Sequence, residues 1–241
     1  MLNEQRELIL GRVRSALADS GEAMPTGGPM ASAAARSAGM PAGTPGALAE
    51  RTAADTGDAD DRALLAAFTN EVHRLHGCVR TIGNRAELDA ALGDLVRSER
   101  IRAAQLWQTE DLDRLGVAAT LAACGVVIVP PDAAVGEVAA CELGVTGADA
   151  LLPETGSLLL RFDAGRPRTA SLLPGIHLAI AWPSALRRGL GQALGEAGGR
   201  GPFVLITGPS RTNDIELTVT VGVHGPAALH VWLMDLSKEE K

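Results

Sequence analysis

From residue 62 to residue 130 the chain alternates two hydrophobic periods, and this alternation restricts the fold more than any other feature of the sequence. ALLAAFTNEVHRLHG (63–77) has helical spacing and closes on Gly77, a frequent helix stop. CVRTIG (78–83) is strand-like. Asn84 then caps a helix running through 100, and Glu87, three residues after the cap, completes a capping box. AAQLWQ (103–108) reads as a second strand, DLDRLGV as a helical turn or short helix, and GVVIVP (125–130) as an apolar strand of the type buried on both faces. Strands separated by helices of these lengths build βαβ units and a mostly parallel, twisted sheet.

The second half changes character. GVTGADALLP, TGSLLLRF, IHLAIAW, PFVLITG, ELTVTVGVHG and ALHVWLMDL are strand candidates, interrupted by one helix at 184–198. Ahead of the globular part lie two different segments. Residues 1–18 carry Leu2, Leu8, Ile9, Val13 and Leu17 at helical spacing, which predicts a short amphipathic helix. Residues 19–61 are rich in Gly, Pro, Ala, Ser and Thr without a period and read as a flexible linker. The chain therefore divides into a helix (1–18), a linker (19–61) and an α/β domain (62–241).

Charge and cysteine content narrow the function classes. The formal net charge is −7, which argues against a nucleic-acid binder with a basic face but permits a local anion site. Cys78, Cys124 and Cys141 are far apart, form no CxxC pair and cannot supply a four-thiolate iron–sulfur cluster. They are expected as reduced thiols acting as small buried hydrophobes. No stretch reaches the ~18 uninterrupted apolar residues of a membrane helix, and the charged N-terminus lacks a signal-peptide apolar core. A cytoplasmic location is the expectation. There is no G-x-G-x-x-G, no Walker-type loop and no H-E-x-x-H, so no cofactor is evident.

Three segments carry candidate chemistry. In GVTGADALLPETGS (144–157) a Pro-Glu-Thr-Gly turn between apolar strands is expected to place Glu154, Thr155, Gly156 and Ser157 at a sheet edge, with Thr146 and Asp149 upstream. Ligands of open α/β sheets bind at the carboxyl ends of strands. A carboxylate held there among apolar walls would have a raised pKa and could serve as base or nucleophile. In TGPSRTNDIE (207–216) Gly208 breaks a strand, Ser210 or Thr212 can cap the next element, and Arg211 offers a fork-shaped donor to a carboxylate or phosphate. Asp214 and Glu216 would orient Arg211, bind ligand hydroxyls or hold a metal. His177 and His224, each beside a turn, are candidates for a general acid or base near neutral pH. The expected site is one crevice shared by the PETG turn and the SRTND loop.

GVTGADALLPETGSLLL, SLLPGIHLAI, GPSRTNDIE and GVHGPAALHVWLMD, in this order, closely resemble the LUD domain, and within it the lactate-utilisation protein C family. The resemblance covers about residues 62–241 and extends to the short N-terminal helix. It implies a three-layer NagB/RpiA/CoA-transferase-like α/β fold. It also implies a part in oxidising L-lactate to pyruvate beside two partner proteins, one of them an iron–sulfur protein. By analogy of position, Glu154 takes the place of the glutamate nucleophile of some related folds. Larger members of the family carry ferredoxin-like cysteine clusters and this chain does not, so the expected role is a non-redox subunit binding a small anionic or phosphorylated ligand. Two other classes remain open: a stand-alone acyl/CoA-transferase-like or sugar-phosphate isomerase-like enzyme using Glu154, and a regulatory or scaffold protein.

Overall fold

A computed structural model of the chain describes residues 57–196, 201–213, 219–221 and 225–235. The expected helix at 1–18, nearly all of the linker, and Asp214, Glu216 and His224 lie outside the described residues.

Helix α1 (Gly57–Arg74) begins before the expected position. It buries Phe68 and Val72. Its end is turned by His76, not Gly77: His76 takes φ 63°, and the Gly77 N–H donates to the Val72 carbonyl at 2.9 Å. Strand β1 (Cys78–Ile82) leads to α2 (Arg85–Glu99). The expected cap is present: the Glu87 N–H donates to Asn84 Oδ1 at 2.9 Å, and the Glu87 carboxylate accepts from the Gly83 N–H at 2.7 Å. Leu88, Leu92, Leu95 and Val96 form the buried stripe of α2.

β2 (Ala103–Leu106) is followed by two short helices, α3 (Glu110–Arg114) and α4 (Val117–Ala123), where one helical turn or short helix was expected. β3 (Val127–Val129) is an edge strand, so Val127 is largely exposed, against the expectation of a strand covered on both faces. After α5 (Val135–Ala139), the run read as one strand, GVTGADALLP, divides into β4 (Leu143–Thr146) and β5 (Ala150–Leu152), which belong to different sheets. β6 (Ser157–Arg161) and β7 (Ile176–Ala181) come next. The helix expected at 184–198 begins only at Leu190, and α6 is described over Leu190–Glu196. The preceding residues are diverted to β5, where the Arg187 N–H donates to the Leu151 carbonyl at 2.9 Å and Leu186 is extended. β8 (Phe203–Ile206), the pair β9 (Arg211–Asn213) and β10 (Val219–Val221), and β11 (Ala228–Met234) complete the order.

The main sheet has six parallel strands in the order β1-β11-β7-β4-β2-β3. The mostly parallel α/β architecture expected from the alternation is thus present. A second sheet, β5-β6-β8, is antiparallel. Strand β6 is covered on both sides: Leu158 and Leu160 join the main core with Leu151, while Leu159 packs with Ala150, Leu152 and Ala193 of α6. Of the thiols, Cys141 is buried as expected, but Cys78 and Cys124 are exposed. Among the described residues no helix is long and apolar enough to cross a membrane.

Candidate functional site

In a parallel sheet all strands share one amino edge and one carboxyl edge, and each edge here holds a depression. The amino edge is closed over β7 and β11 by the segment that comes after β8. The result is a cavity of about 300 Å³, lined among others by Ser171, His177, Thr207, Ser210 and Arg211. It is held together by backbone bonds, chiefly from the Ser210 N–H to the Pro226 carbonyl at 2.9 Å. Gly208 lines it as well. Arg211 is exposed and donates from Nη2 to the carbonyl of Leu75, just past the end of α1, which fixes one side of its fork. Thr212 lies in β9.

His177 is the most constrained polar group of this cavity. It is only 1% exposed and shares a sheet face with Gly144, its register partner on β4, and with Thr146. Its Nε2 lies 2.8 Å from Thr146 Oγ1, and Thr146 is itself fully buried. Among the described residues its Nδ1 has no hydrogen-bond partner. Burial pushes the pKa down to about 3, so the ring is neutral at physiological pH. Burial thus removes the titration near neutrality expected of a general acid or base at His177 and leaves a neutral ring able to hydrogen-bond. With the Thr146 hydroxyl donating to Nε2, Nδ1 carries the ring hydrogen and can donate to an anion. The place is made by a glycine the sequence did not single out. A Cβ on Gly144 would stand 1.7 Å from the Ala170 carbonyl oxygen, so only glycine lets the 3₁₀ turn Arg168–Ser171 close on the sheet here.

The PETG turn joins β5 to β6. Gly156 takes φ 63°, and a Cβ there would lie 2.9 Å from the α1 backbone at Glu71–Val72, so the turn is pressed against that helix. Glu154, however, is exposed and is not among the residues lining the cavity. The desolvated carboxylate expected there is not found, because Glu154 lies on the exposed side of a turn whose Gly156 is pressed against α1. What does reach the cavity is a chain of hydroxyls: Thr155 Oγ1 to Ser157 Oγ at 2.7 Å, and Ser157 Oγ to Thr207 Oγ1 at 2.7 Å. The turn and the segment after β8 thus meet, through Ser157 rather than Glu154. They meet at the amino edge, not at the carboxyl ends the crevice rule suggested.

The carboxyl edge holds a second crevice, of about 200 Å³. Trp107, Thr109 and Asp111, just beyond β2, line it with Asp149 after β4, Trp182 after β7, and Arg166. Asp149 was expected beside Glu154 but belongs here, accepting from Arg166 Nη1 at 3.0 Å and from the Arg161 N–H at 2.8 Å. Arg166 Nε donates to Asp163 at 2.7 Å, and its guanidinium lies 5.6 Å from the Trp107 ring centroid. Burial works against the charge of Arg166, but Asp163 and Asp149 more than offset it and raise its pKa. Sequence reasoning missed Trp107, Arg166 and Trp182; for the two tryptophans the signal was rarity, since the chain has three Trp, three Phe and no Tyr, whereas nothing set Arg166 apart from the many other arginines. Among the described residues no group of three or more His, Cys, Asp or Glu is placed to hold a metal ion.

Comparison with known proteins agrees with this architecture. The LUD domain signature matches residues 65–234. Lactate utilization protein C of Halalkalibacterium halodurans is 39% identical over 93 residues, 35% of this chain and 40% of that protein. The protein of the same name from Macrococcus caseolyticus is 37% identical over 92 residues, again 35% of this chain and 40% of its own length. The matched stretch thus spans well under half the length of these curated relatives. Among solved structures, a DUF162 family protein from Deinococcus radiodurans superposes with a TM-score of 0.54 at 18% identity, covering 72% of this chain and 98% of that one, a likeness of fold. With the signature running from within α1 to the last residue of β11, the chain belongs to the LUD domain family.

Proposed function

We propose that this chain is a non-redox subunit of an L-lactate utilisation system and binds a small anionic or phosphorylated ligand in the amino-edge cavity. The relatives named lactate utilization protein C carry the first half of this reading. The unpartnered Nδ1 of the buried His177, in a cavity also lined by Ser210 and Arg211, carries the second. The ligand's anionic group would accept from Nδ1 of His177, from the Ser210 hydroxyl and from the part of the Arg211 fork not engaged by Leu75. Thr207 and Ser157, already hydrogen-bonded to one another, would hold a ligand hydroxyl or ordered water at the rim. The redox chemistry would belong to iron–sulfur partner subunits, since three dispersed cysteines cannot hold a cluster.

Deleting the gene and measuring growth on L-lactate tests the role; undiminished growth overturns it. A thermal-shift screen of the purified chain against lactate, pyruvate, CoA esters, folates and phosphosugars tests the site, because a ligand that binds only the folded state raises Tm by mass action. The ligand found should lose its effect in Arg211→Ala and Ser210→Ala. The exposure of Glu154 counts against a stand-alone enzyme with this residue as nucleophile.

A further inference from the structure

One wall of the amino-edge cavity is the edge of a strand. Consecutive residues from Val204 to Gly208 line it. A strand that presents a face contributes alternate residues, so the rim of β8 borders the cavity. Among the described residues this rim is free, for β8 ends the small sheet with β6 on its other side. The Phe162 N–H donates to the Pro202 carbonyl at 3.2 Å, which fixes the alternation. Val204 and Ile206 turn their backbone groups towards β6, and Phe203, Leu205 and Thr207 turn theirs outwards. Edge strands are ordinarily blunted by charge, by an internal proline or by a covering element. β8 reads Phe-Val-Leu-Ile, carries no charge and leaves Phe203 and Leu205 exposed. Such an edge calls for a further strand.

The rest of the cavity says what that strand is. His177 and Leu229, near the starts of β7 and β11, stand across from β8. The recess of about 300 Å³ between them admits the end of one extended chain and not the edge of a second folded copy. None of the described lining residues is acidic. Ser210 and Arg211, just past β8, and the buried His177 supply hydrogen-bond donors. Leu172, Pro226 and Leu229 supply apolar wall. A chain terminus answers all three features. Its amides match the strand edge, its carboxylate matches the donors, and an apolar last side chain matches the wall.

We infer that the amino-edge cavity takes the carboxyl-terminal tail of a partner protein, added as a strand to the free edge of β8. The terminal carboxylate accepts from Arg211, Ser210 and His177, and the apolar last side chain packs against the leucines of the lining. This rests on the anion site of the proposed function and names what carries the anion. A free small acid fills only the carboxylate end of the same site.

A pool of short randomised peptides, tethered by the amino end and finishing in a free carboxylate, is selected against the full chain. The selected peptides are then measured by fluorescence polarisation. They should end in an apolar residue. Amidating the terminus should weaken binding at least about tenfold, the loss of one charged hydrogen bond, and Arg211→Ala should weaken binding of the free acid as much. Methylating the peptide nitrogens one at a time should weaken binding at every second position only, because alternate residues of an added strand face β8. Selection of no peptide, equal binding of the amide, equal binding by Arg211→Ala, or methylation effects without alternation overturns the inference. So does a dimer of the chain that is lost in Leu205→Lys while no peptide is selected. A small acid that raises Tm in the parent but not in Arg211→Ala, with no peptide selected, overturns the inference and leaves the proposed site standing. Peptide binding that passes these tests, with no effect of small acids, upholds the inference and removes the free small ligand.

Discussion

The two edges of the parallel sheet are built on opposite plans. At the amino edge the polar groups are hydroxyls, backbone, one neutral imidazole and one arginine, and none of the described lining residues is acidic. At the carboxyl edge an arginine is locked between carboxylates and laid against tryptophan. The first plan depends on close backbone approach, since Gly144 admits the turn that seats His177. The second depends on side-chain contacts that reach across from separate loops. An error at the first should therefore break the fold, and an error at the second should loosen only a site.

Glycine substitutions give the largest expected contrast. Gly144→Val should destabilise the protein by about 3 kcal/mol or more, because backbone oxygen occupies the space of the new side chain. Gly147→Ala, at the carboxyl edge, meets nothing closer than 3.8 Å and should change stability by less than about 1 kcal/mol. Urea denaturation of both variants checks this, and equal effects would erase the distinction between the edges.

Acid should act next, and through the amino edge first. The unfolded His177 ring takes up a proton near its ordinary pKa, whereas the folded ring does so only at about 3. The unfolded state therefore binds more protons between about pH 6.5 and 3, and stability falls by about 1.4 kcal/mol per pH unit as pH drops through that window. It is fully present above it. Burial lowers the pKa of His230 as well, which adds in the same direction. At the carboxyl edge, the Arg166 hydrogen bond lowers the pKa of Asp163, so its contribution is lost only at lower pH, below the usual carboxylate range. Denaturation midpoints at pH 7, 5.5 and 4.5 should fall steeply in the parent chain and less steeply in His177→Asn. Parallel slopes would show that His177 is not the group responsible.

Two smaller effects sharpen the contrast. Thr146→Val leaves Nε2 of His177 buried without a partner and should destabilise by about 1–3 kcal/mol, while Thr146→Ser should restore most of it. Asp149→Asn removes one partly exposed ion pair and should reduce stability by about 1 kcal/mol or less, an effect that shrinks in high salt. Thermal unfolding at low and high salt separates the two, for only the second should depend on ionic strength.

Much of the framework was legible because local rules and tertiary packing agreed. The Asn84–Glu87 box is satisfied by neighbours a few residues away, and the apolar run of β11 is buried along most of its length. Legibility ended where a long-range contact overrode a local signal. GVTGADALLP was apolar enough for one strand, but the Asp149 N–H is claimed by Leu159 and its carboxylate by Arg161 and Arg166, so the chain turns there into a second sheet. The helix expected from residue 184 was shortened by the bond from Arg187 to Leu151. Of the candidate site, His177, Gly208, Ser210 and Arg211 line one cavity, Ser157 touches its rim through Thr207, and Asp149 belongs to the opposite edge.

Taken alone, the order of residues determined the family, the alternation that makes a parallel sheet, and the segments rich in polar turn residues. The family was read from four motifs in order, and the other two depend on neighbours within a turn or a strand length, the range over which hydrophobic period and capping act. The tertiary structure decided which edge of the sheet each segment reaches, that Glu154 faces solvent while His177 is sealed, and that Trp107, Asp149, Arg166 and Trp182 share a crevice. Those outcomes arise from strand order and from which backbone can approach which. Residues 107 and 182 line one crevice because β2 and β7 flank β4 in the same parallel sheet, and no local pattern encodes that strand order.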